Sequence, residues 1–147
     1  MTGAIPTMKT SHFFVYGTLK RGNCRDTCWP CAAIDVAPAW VYGALYDVGP
    51  YPALFVGKDR VLGEIWTFQD SDCGLVTETL DEIEGTNQGG VVNLYNREAV
   101  TAHRFDETEC RAWIYFYANL QQRSHLRYVT PRQPPPQFAL ATPYAYW

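Results

Sequence analysis

Residues 80–85, Leu-Asp-Glu-Ile-Glu-Gly, place three carboxylates within four positions. Such a run is most often a solvated helix face. Glu84 differs from its neighbours by position. It falls at the expected C-terminus of a helix, where the partial negative charge of the helix disfavours a carboxylate. Asp81 lies one turn back, and like charge at i, i+3 adds to the cost. Both effects favour the protonated acid and raise its pKa. A carboxyl tuned towards neutrality suits general acid–base catalysis, whereas a helix built for stability alone would carry Lys or Arg there.

Three further groups of residues could carry chemistry. In Tyr16-Gly17-Thr18-Leu19-Lys20 a glycine directly follows an apolar run. It lets the backbone turn sharply and can leave successive N–H groups aimed at one point, an anion nest for a carboxylate or an oxyanion. A Gly-Thr pair serves as readily as an ordinary strand-ending turn. Tyr115 and Tyr117 share one face of an aromatic strand and could present hydroxyls to a ligand, or could simply pack in the core. Cys28 and Cys31 have the C-x-x-C spacing of dithiol and zinc sites. Zinc needs four ligands, however, and Cys73, Cys110 and the three histidines are scattered. Free or buried thiols are the expected state, with no metal.

The elements that must position these residues follow from periodicity. His12–Tyr16, Trp40–Tyr46, Ala53–Val56, Val61–Phe68, Leu94–His103 and Cys110–Tyr117 read as strands. In the fourth, Leu62, Glu64, Trp66 and Phe68 fall on one face and Val61, Gly63, Ile65 and Thr67 on the other. In the last, Arg111, Trp113, Tyr115 and Tyr117 share a face. Val76, Leu80 and Ile83 form a helical stripe, capped by Asp70–Asp72 and ended by Gly85, which predicts a helix over Asp72–Glu84. About six strands and one helix predict an α+β fold with a curved sheet or small barrel. Pro134-Pro135-Pro136 favours an extended conformation, and the apolar load of Phe138, Leu140, Tyr144, Tyr146 and Trp147 predicts that the tail from about 131 docks.

At 147 residues the chain fits one domain, 1–147, with a core over about 12–118. The net charge of −3 and the lack of a basic run argue against a nucleic-acid partner. No apolar run approaches the roughly 18 residues of a membrane span. Met1–Ser11 lacks the apolar block of a signal peptide. The expectation is a cytoplasmic protein with reduced thiols; the five cysteines, an odd number, also argue against a complete disulfide framework.

Taken together, these stretches resemble the gamma-glutamylcyclotransferase-like superfamily, with its AIG2-like, BtrG-like and gamma-glutamylamine cyclotransferase members. The resemblance lies in Phe14-Val-Tyr-Gly-Thr-Leu-Lys-Arg-Gly22, Gly49-Pro-Tyr-Pro-Ala-Leu54, Gly63-Glu-Ile-Trp-Thr-Phe68 and Leu80-Asp-Glu-Ile-Glu-Gly85, then Tyr95-Asn-Arg-Glu98 and Ala112-Trp-Ile-Tyr-Phe-Tyr117. It implies a small mixed β-barrel with flanking helices. It further implies that Tyr16, Gly17, Thr18 and Leu19 bind the glutamyl part of a substrate, that Glu84 is the catalytic carboxylate, and that Pro52 and a strand tyrosine, Tyr117 ahead of Tyr115, line the pocket. The implied reaction is cofactor-independent: the α-amine of a γ-glutamyl amine or peptide attacks its own γ-carbonyl, giving 5-oxoproline and a free amine. Residues 23–36, with Cys24, Cys28, Cys31 and Trp29, and the tail from Asn119 lie outside the family pattern, so the leaving amine is left open, as is the oligomeric state. Two alternatives remain: a non-catalytic binder of small carboxylates or of a partner protein, and a thiol redox or metal module at Cys28 and Cys31.

Overall fold

Alternating apolar residues give the five longer strands, a single helical stripe gives one α-helix, and a sixth strand of two exposed residues joins them. The strands are β1 (His12–Val15), β2 (Asp35–Asp47), β3 (Pro52–Thr67), β4 (Tyr95–Arg104), β5 (Glu109–Tyr117) and β6 (Arg127–Tyr128); the helix is α1 (Cys73–Ile83). The computed structural model describes residues 10–138, 140 and 142–147. Residues 1–9, which carry most of the signal-peptide reading, lie outside the described residues, as do Ala139 and Ala141 of the tail.

The strands run β3-β1-β5-β4-β2, and β2 pairs back onto β3, so five strands close a barrel; β6 is added at Tyr46 and Asp47 of β2. The β1–β5 pair is parallel and the other pairs are antiparallel, which makes the barrel mixed. Closure leaves few exposed ladder edges. The interior is filled by side chains from every strand of the ring: Phe14, Val41, Val61, Ile65, Ala102, Ala112 and Ile114.

The alternate residues point outwards and build a second core beneath α1. Phe13, Trp66, Phe68, Tyr115 and Tyr117 meet Val76 and Leu80 of the helix there. An isolated helix of eleven residues is marginal in water. Complete burial of Val76 and Leu80 contributes about 3–6 kcal/mol and fixes the helix on the barrel.

β3 is a single strand where periodicity suggests two. Its register against β2 shifts between Gly43, opposite Asp59, and Ala44, opposite Phe55. The residues between Phe55 and Asp59 form a bulge that interrupts the alternation without ending the strand. Gly57 is required there, because a Cβ would approach the Ala44 nitrogen to 2.8 Å. The tail docks as expected. Ala145 exchanges backbone hydrogen bonds with Arg60 and Leu62, and Tyr144 and Ala145 are buried. No described helix is long and apolar enough to cross a membrane.

Candidate active site

β1 ends at Val15, and the next four residues, Tyr16 to Leu19, are buried and turn across the end of the barrel. Gly17 is not in the left-handed region. Its role is spatial: a Cβ would lie 2.6 Å from Cγ and 2.7 Å from Cδ of Pro52. The turn is held from behind. The Gly17 carbonyl accepts from the Lys20 amide (3.0 Å) and Asn23 Nδ2 (2.9 Å), and the Thr18 carbonyl accepts from the Arg25 amide (2.8 Å). The Leu19 carbonyl accepts from Trp29 Nε1 at 3.2 Å. The carbonyls are therefore occupied, while the amides of Gly17, Thr18 and Leu19 donate to no acceptor among the described residues.

Glu84 is fixed by the end of α1. Its amide donates to the Leu80 carbonyl at 2.8 Å, and Gly85 follows at φ 61°, the left-handed stop. The Leu94 amide then bonds the Gly85 carbonyl at 2.9 Å, and Thr86 Oγ1 donates to the Tyr95 carbonyl at 2.6 Å. The helix end is thus tied to the start of β4, and Glu84 cannot swing away with a fraying terminus.

Glu84 and the turn face one small cleft. It is lined by Tyr16, Gly17, Thr18, Leu19, Arg25, Tyr51, Pro52, Glu84, Tyr95 and Tyr115, among others, and has a volume of about 90 Å³. That is well below the roughly 300–1,000 Å³ of pockets for drug-sized ligands, so the enclosed part of a ligand is a small group. Burial pushes the Glu84 carboxyl up to about 7, against a smaller downward pull from the Arg25 guanidinium. Burial also holds the Tyr16, Tyr95 and Tyr115 hydroxyls above the ordinary tyrosine value, so they stay protonated donors at neutral pH. Tyr16 donates to the Tyr115 carbonyl, and Tyr95 donates to the Pro52 carbonyl at 2.7 Å.

Asp81 has a different role from the one its spacing suggests. Its Oδ1 accepts from the Tyr115 hydroxyl at 2.6 Å and from Arg97 Nε at 2.9 Å; Arg97 Nη2 reaches Oδ2 at 3.3 Å. The charge repulsion expected between Asp81 and Glu84 does not contribute to the Glu84 shift; desolvation does. Asp81 and Arg97 instead clamp Tyr115 in place. Of the tyrosine pair, Tyr115 lines the cleft and Tyr117 does not. Tyr117 packs on Tyr95 and Phe55, and its hydroxyl reaches Gln122 Oε1 at 3.2 Å.

A larger, open groove of about 1,180 Å³ runs along the other side of α1, past Asp70, Cys73, Asp81, Arg97 and Trp113. We place the site in the smaller cleft because the half-buried, near-neutral acid and the unpaired amides are there. Asp81, in the groove, is already satisfied by Arg97 and Tyr115.

Arg25, Tyr51 and Tyr95 join the cleft without having been singled out in the sequence. Arg25 comes from the cysteine-containing segment, which packs against the site through Trp29, stacked on Trp66 at 4.5 Å. All five cysteines are free thiols; Cys24 and Cys28 are exposed. Among the described residues no group of three or more His, Cys, Asp or Glu is arranged to hold a metal ion.

The barrel is found in solved structures of low sequence identity. YkqA of Bacillus subtilis superposes with a TM-score of 0.56 at 22% identity over 74% of this chain and 36% of its own. The chain therefore spans about a third of that protein. An AIG2-like protein of Mus musculus gives 0.58 at 21% identity, over 87% of this chain and 100% of its own. A structure solved as gamma-glutamyl cyclotransferase gives 0.57 at 19%, over 82% and 70%. Identities this low establish the fold alone. No curated protein matches the sequence. A family pattern does match over residues 13–133, a span that runs from β1 past β6 and contains every residue lining the cleft. The chain belongs to the gamma-glutamyl cyclotransferase, AIG2-like family.

Proposed function

We propose that this chain converts a γ-glutamyl amine or peptide into 5-oxoproline and a free amine, with Glu84 as the general acid–base group. The observation that carries this reading is a half-buried carboxyl, pushed up to about 7 by desolvation, in one cleft with the unpaired Gly17–Leu19 amides. Family and fold support a function of the gamma-glutamyl cyclotransferase type.

The substrate's α-ammonium first gives a proton to the Glu84 carboxylate. Its nitrogen then attacks the γ-carbonyl carbon and closes a five-membered lactam. The bond to the leaving nitrogen breaks as Glu84 returns the proton to it, and the ring nitrogen's second proton passes through Glu84 to the released amine, which departs as its ammonium. Atoms balance without water, metal or oxidant. Raising the acceptor from 4.5 to about 7 makes the first transfer easier by roughly 3.4 kcal/mol, whatever the amine's own pKa. The amides of Gly17, Thr18 and Leu19 receive the glutamyl α-carboxylate; Tyr115 and Tyr95 supply neutral walls beside it. Holding the amine against the carbonyl removes much of the entropic barrier of the ring closure.

Incubation with γ-glutamyl amino acids, γ-glutamyl amines and glutathione is expected to release 5-oxoproline and amine in equal amounts for at least one substrate, as read by mass spectrometry. Glutamate in place of 5-oxoproline, or no product from any of them, overturns the reading.

Gly17→Ala gives a linked prediction. Carbon atoms rest in contact at about 3.5–4.0 Å, so a Cβ at 2.6 Å forces either the turn or Pro52 to move by about 1 Å. A displacement of that size costs about a hundredfold in rate. An unchanged kcat/KM would show that the contact relaxes without moving the amides.

A further inference from the structure

Arg25 has no part in the ring closure described above, yet it lines the same cleft as Glu84. It is half-buried, and its charge reaches both Glu84 and Tyr95. Among the described residues its guanidinium has no ion pair; the salt bridges are Arg97 with Asp81 and His103 with Glu109. Nor does it take part in any hydrogen bond there; the neighbouring Asp26 carboxylate accepts instead from the Gly22 amide at 2.8 Å. Withdrawing a guanidinium from water without a partner is costly. An anionic group of a ligand would relieve that cost.

A count of charges says which group. If the glutamyl half binds as proposed, its α-carboxylate meets the Gly17–Leu19 amides and its α-amine meets Glu84. Arg25 is then the one lining residue of fixed charge still unmatched. The remaining half of the substrate, the leaving amine, is the part left to match it. The backbone around Arg25 is fixed: its amide is held by the Thr18 carbonyl, and Trp29, four residues on, bonds the Leu19 carbonyl. The guanidinium is therefore presented from a braced strap next to the amides.

We infer that Arg25 binds a carboxylate on the leaving group, so that the preferred substrates are γ-glutamyl amino acids rather than γ-glutamyl derivatives of neutral or cationic amines. The inference rests on the proposed glutamyl-binding mode and adds the substrate class. A charge-assisted hydrogen bond to a carboxylate contributes about 1.5–3 kcal/mol, which sets a preference of roughly ten- to a hundredfold.

The test compares γ-glutamyl-alanine with γ-glutamyl-alaninamide, which differ only in that carboxylate. Wild type is expected to favour the first in kcat/KM by about ten- to a hundredfold. At pH 9, above the Glu84 titration on which the Arg25 charge also acts, Arg25→Gln is expected to lower the rate for γ-glutamyl-alanine more than that for the alaninamide by about ten- to a hundredfold, which removes the preference. Arg25→Lys should restore part of it, because an ammonium keeps the charge and loses the planar fork. Equal turnover of the two compounds by wild type overturns the inference. So does an equal loss on both in Arg25→Gln, which would assign the guanidinium to the shared glutamyl α-carboxylate. Calorimetric binding of both compounds to Glu84→Gln separates this from catalysis. A carboxylate preference that disappears in the double variant with Arg25→Gln sustains the role of Arg25 even if wild type turns over neither compound. Equal or absent binding of both ends it.

Discussion

Glu84→Gln is expected to remove turnover while leaving the fold in place. The amide keeps the shape of the side chain but can neither accept a proton from the α-ammonium nor return one to the leaving nitrogen. Loss of a general acid–base group costs about a hundredfold to ten-thousandfold. Because the variant still presents the Gly17–Leu19 amides, KM or ligand affinity should change far less than kcat. The wild-type pH profile provides a second reading. The base form of Glu84 is needed to start the reaction, and burial sets its pKa at about 7. Activity should therefore rise with pH through neutrality and, two units below the midpoint, stand about a hundredfold under its plateau. A profile flat from pH 4 to 9, or a Gln variant with full activity, would remove Glu84 from the mechanism.

The same substitution should make the protein more stable at high pH. Glu84 titrates near 7 when folded and near 4.5 when exposed. Between these values the folded state holds a proton that the unfolded state has released, so stability falls as pH rises through that window. Above pH 7 the accumulated loss approaches about 3 kcal/mol. Glutamine does not titrate and escapes this loss. At pH 8 the variant should gain about 2–3 kcal/mol, which for a chain of this size is about 5–10 °C in Tm. Below pH 4.5 the two proteins should converge. Urea melts at pH 4, 6 and 8 measure this, and parallel curves for the two proteins would show that Glu84 is solvated in the folded state. Together, the two results would mark Glu84 as a residue whose burial costs stability and supplies activity.

Much of this site was legible in the residues, though not always for the stated reason. In the sequence, the helix end and Asp81 mark Glu84 as an acid with a raised pKa. The spacing rule for Asp81 presumes continuous helix, and Glu84 sits past it, at φ −87° and ψ 1°. That turn separates the two carboxylates, and Asp81 pairs with Arg97 instead. The tyrosines show the limit of strand periodicity. Tyr115 and Tyr117 point the same way, so alternation cannot rank them; the Asp81 clamp fixes Tyr115 at the cleft. Tyr95 could have been found by hairpin arithmetic. Counting back from the turn between Arg104 and Glu109 pairs Tyr95 with Tyr117 and brings a third hydroxyl to the same end of the barrel. Arg25 had no such signal. Its place depends on a strap closed by side chain–backbone hydrogen bonds, a pattern without periodicity. Alternation locates β1, β4 and β5 nearly whole because it reports burial directly, but it gives only Trp40–Tyr46 of β2, whose first residues include Pro38, and no sign of the exposed two-residue β6. Periodicity divides β3 in two because its bulge breaks the alternation while the pairing with β2 resumes beyond it.

The strap behind the Tyr16–Leu19 turn also divides what can vary from what cannot. Main-chain carbonyls of the turn hold Asn23, Arg25 and Trp29 in place, and the amides of the same turn are left without an acceptor among the described residues. Arg25 is anchored by its backbone, so its side chain can be exchanged without disturbing the anchor. If Arg25 reads the leaving group as we infer, a change of one codon there redirects that preference while the reacting centre stays as it was. Ligand-binding amides and a selectivity side chain would then lie within ten residues of chain and still vary independently.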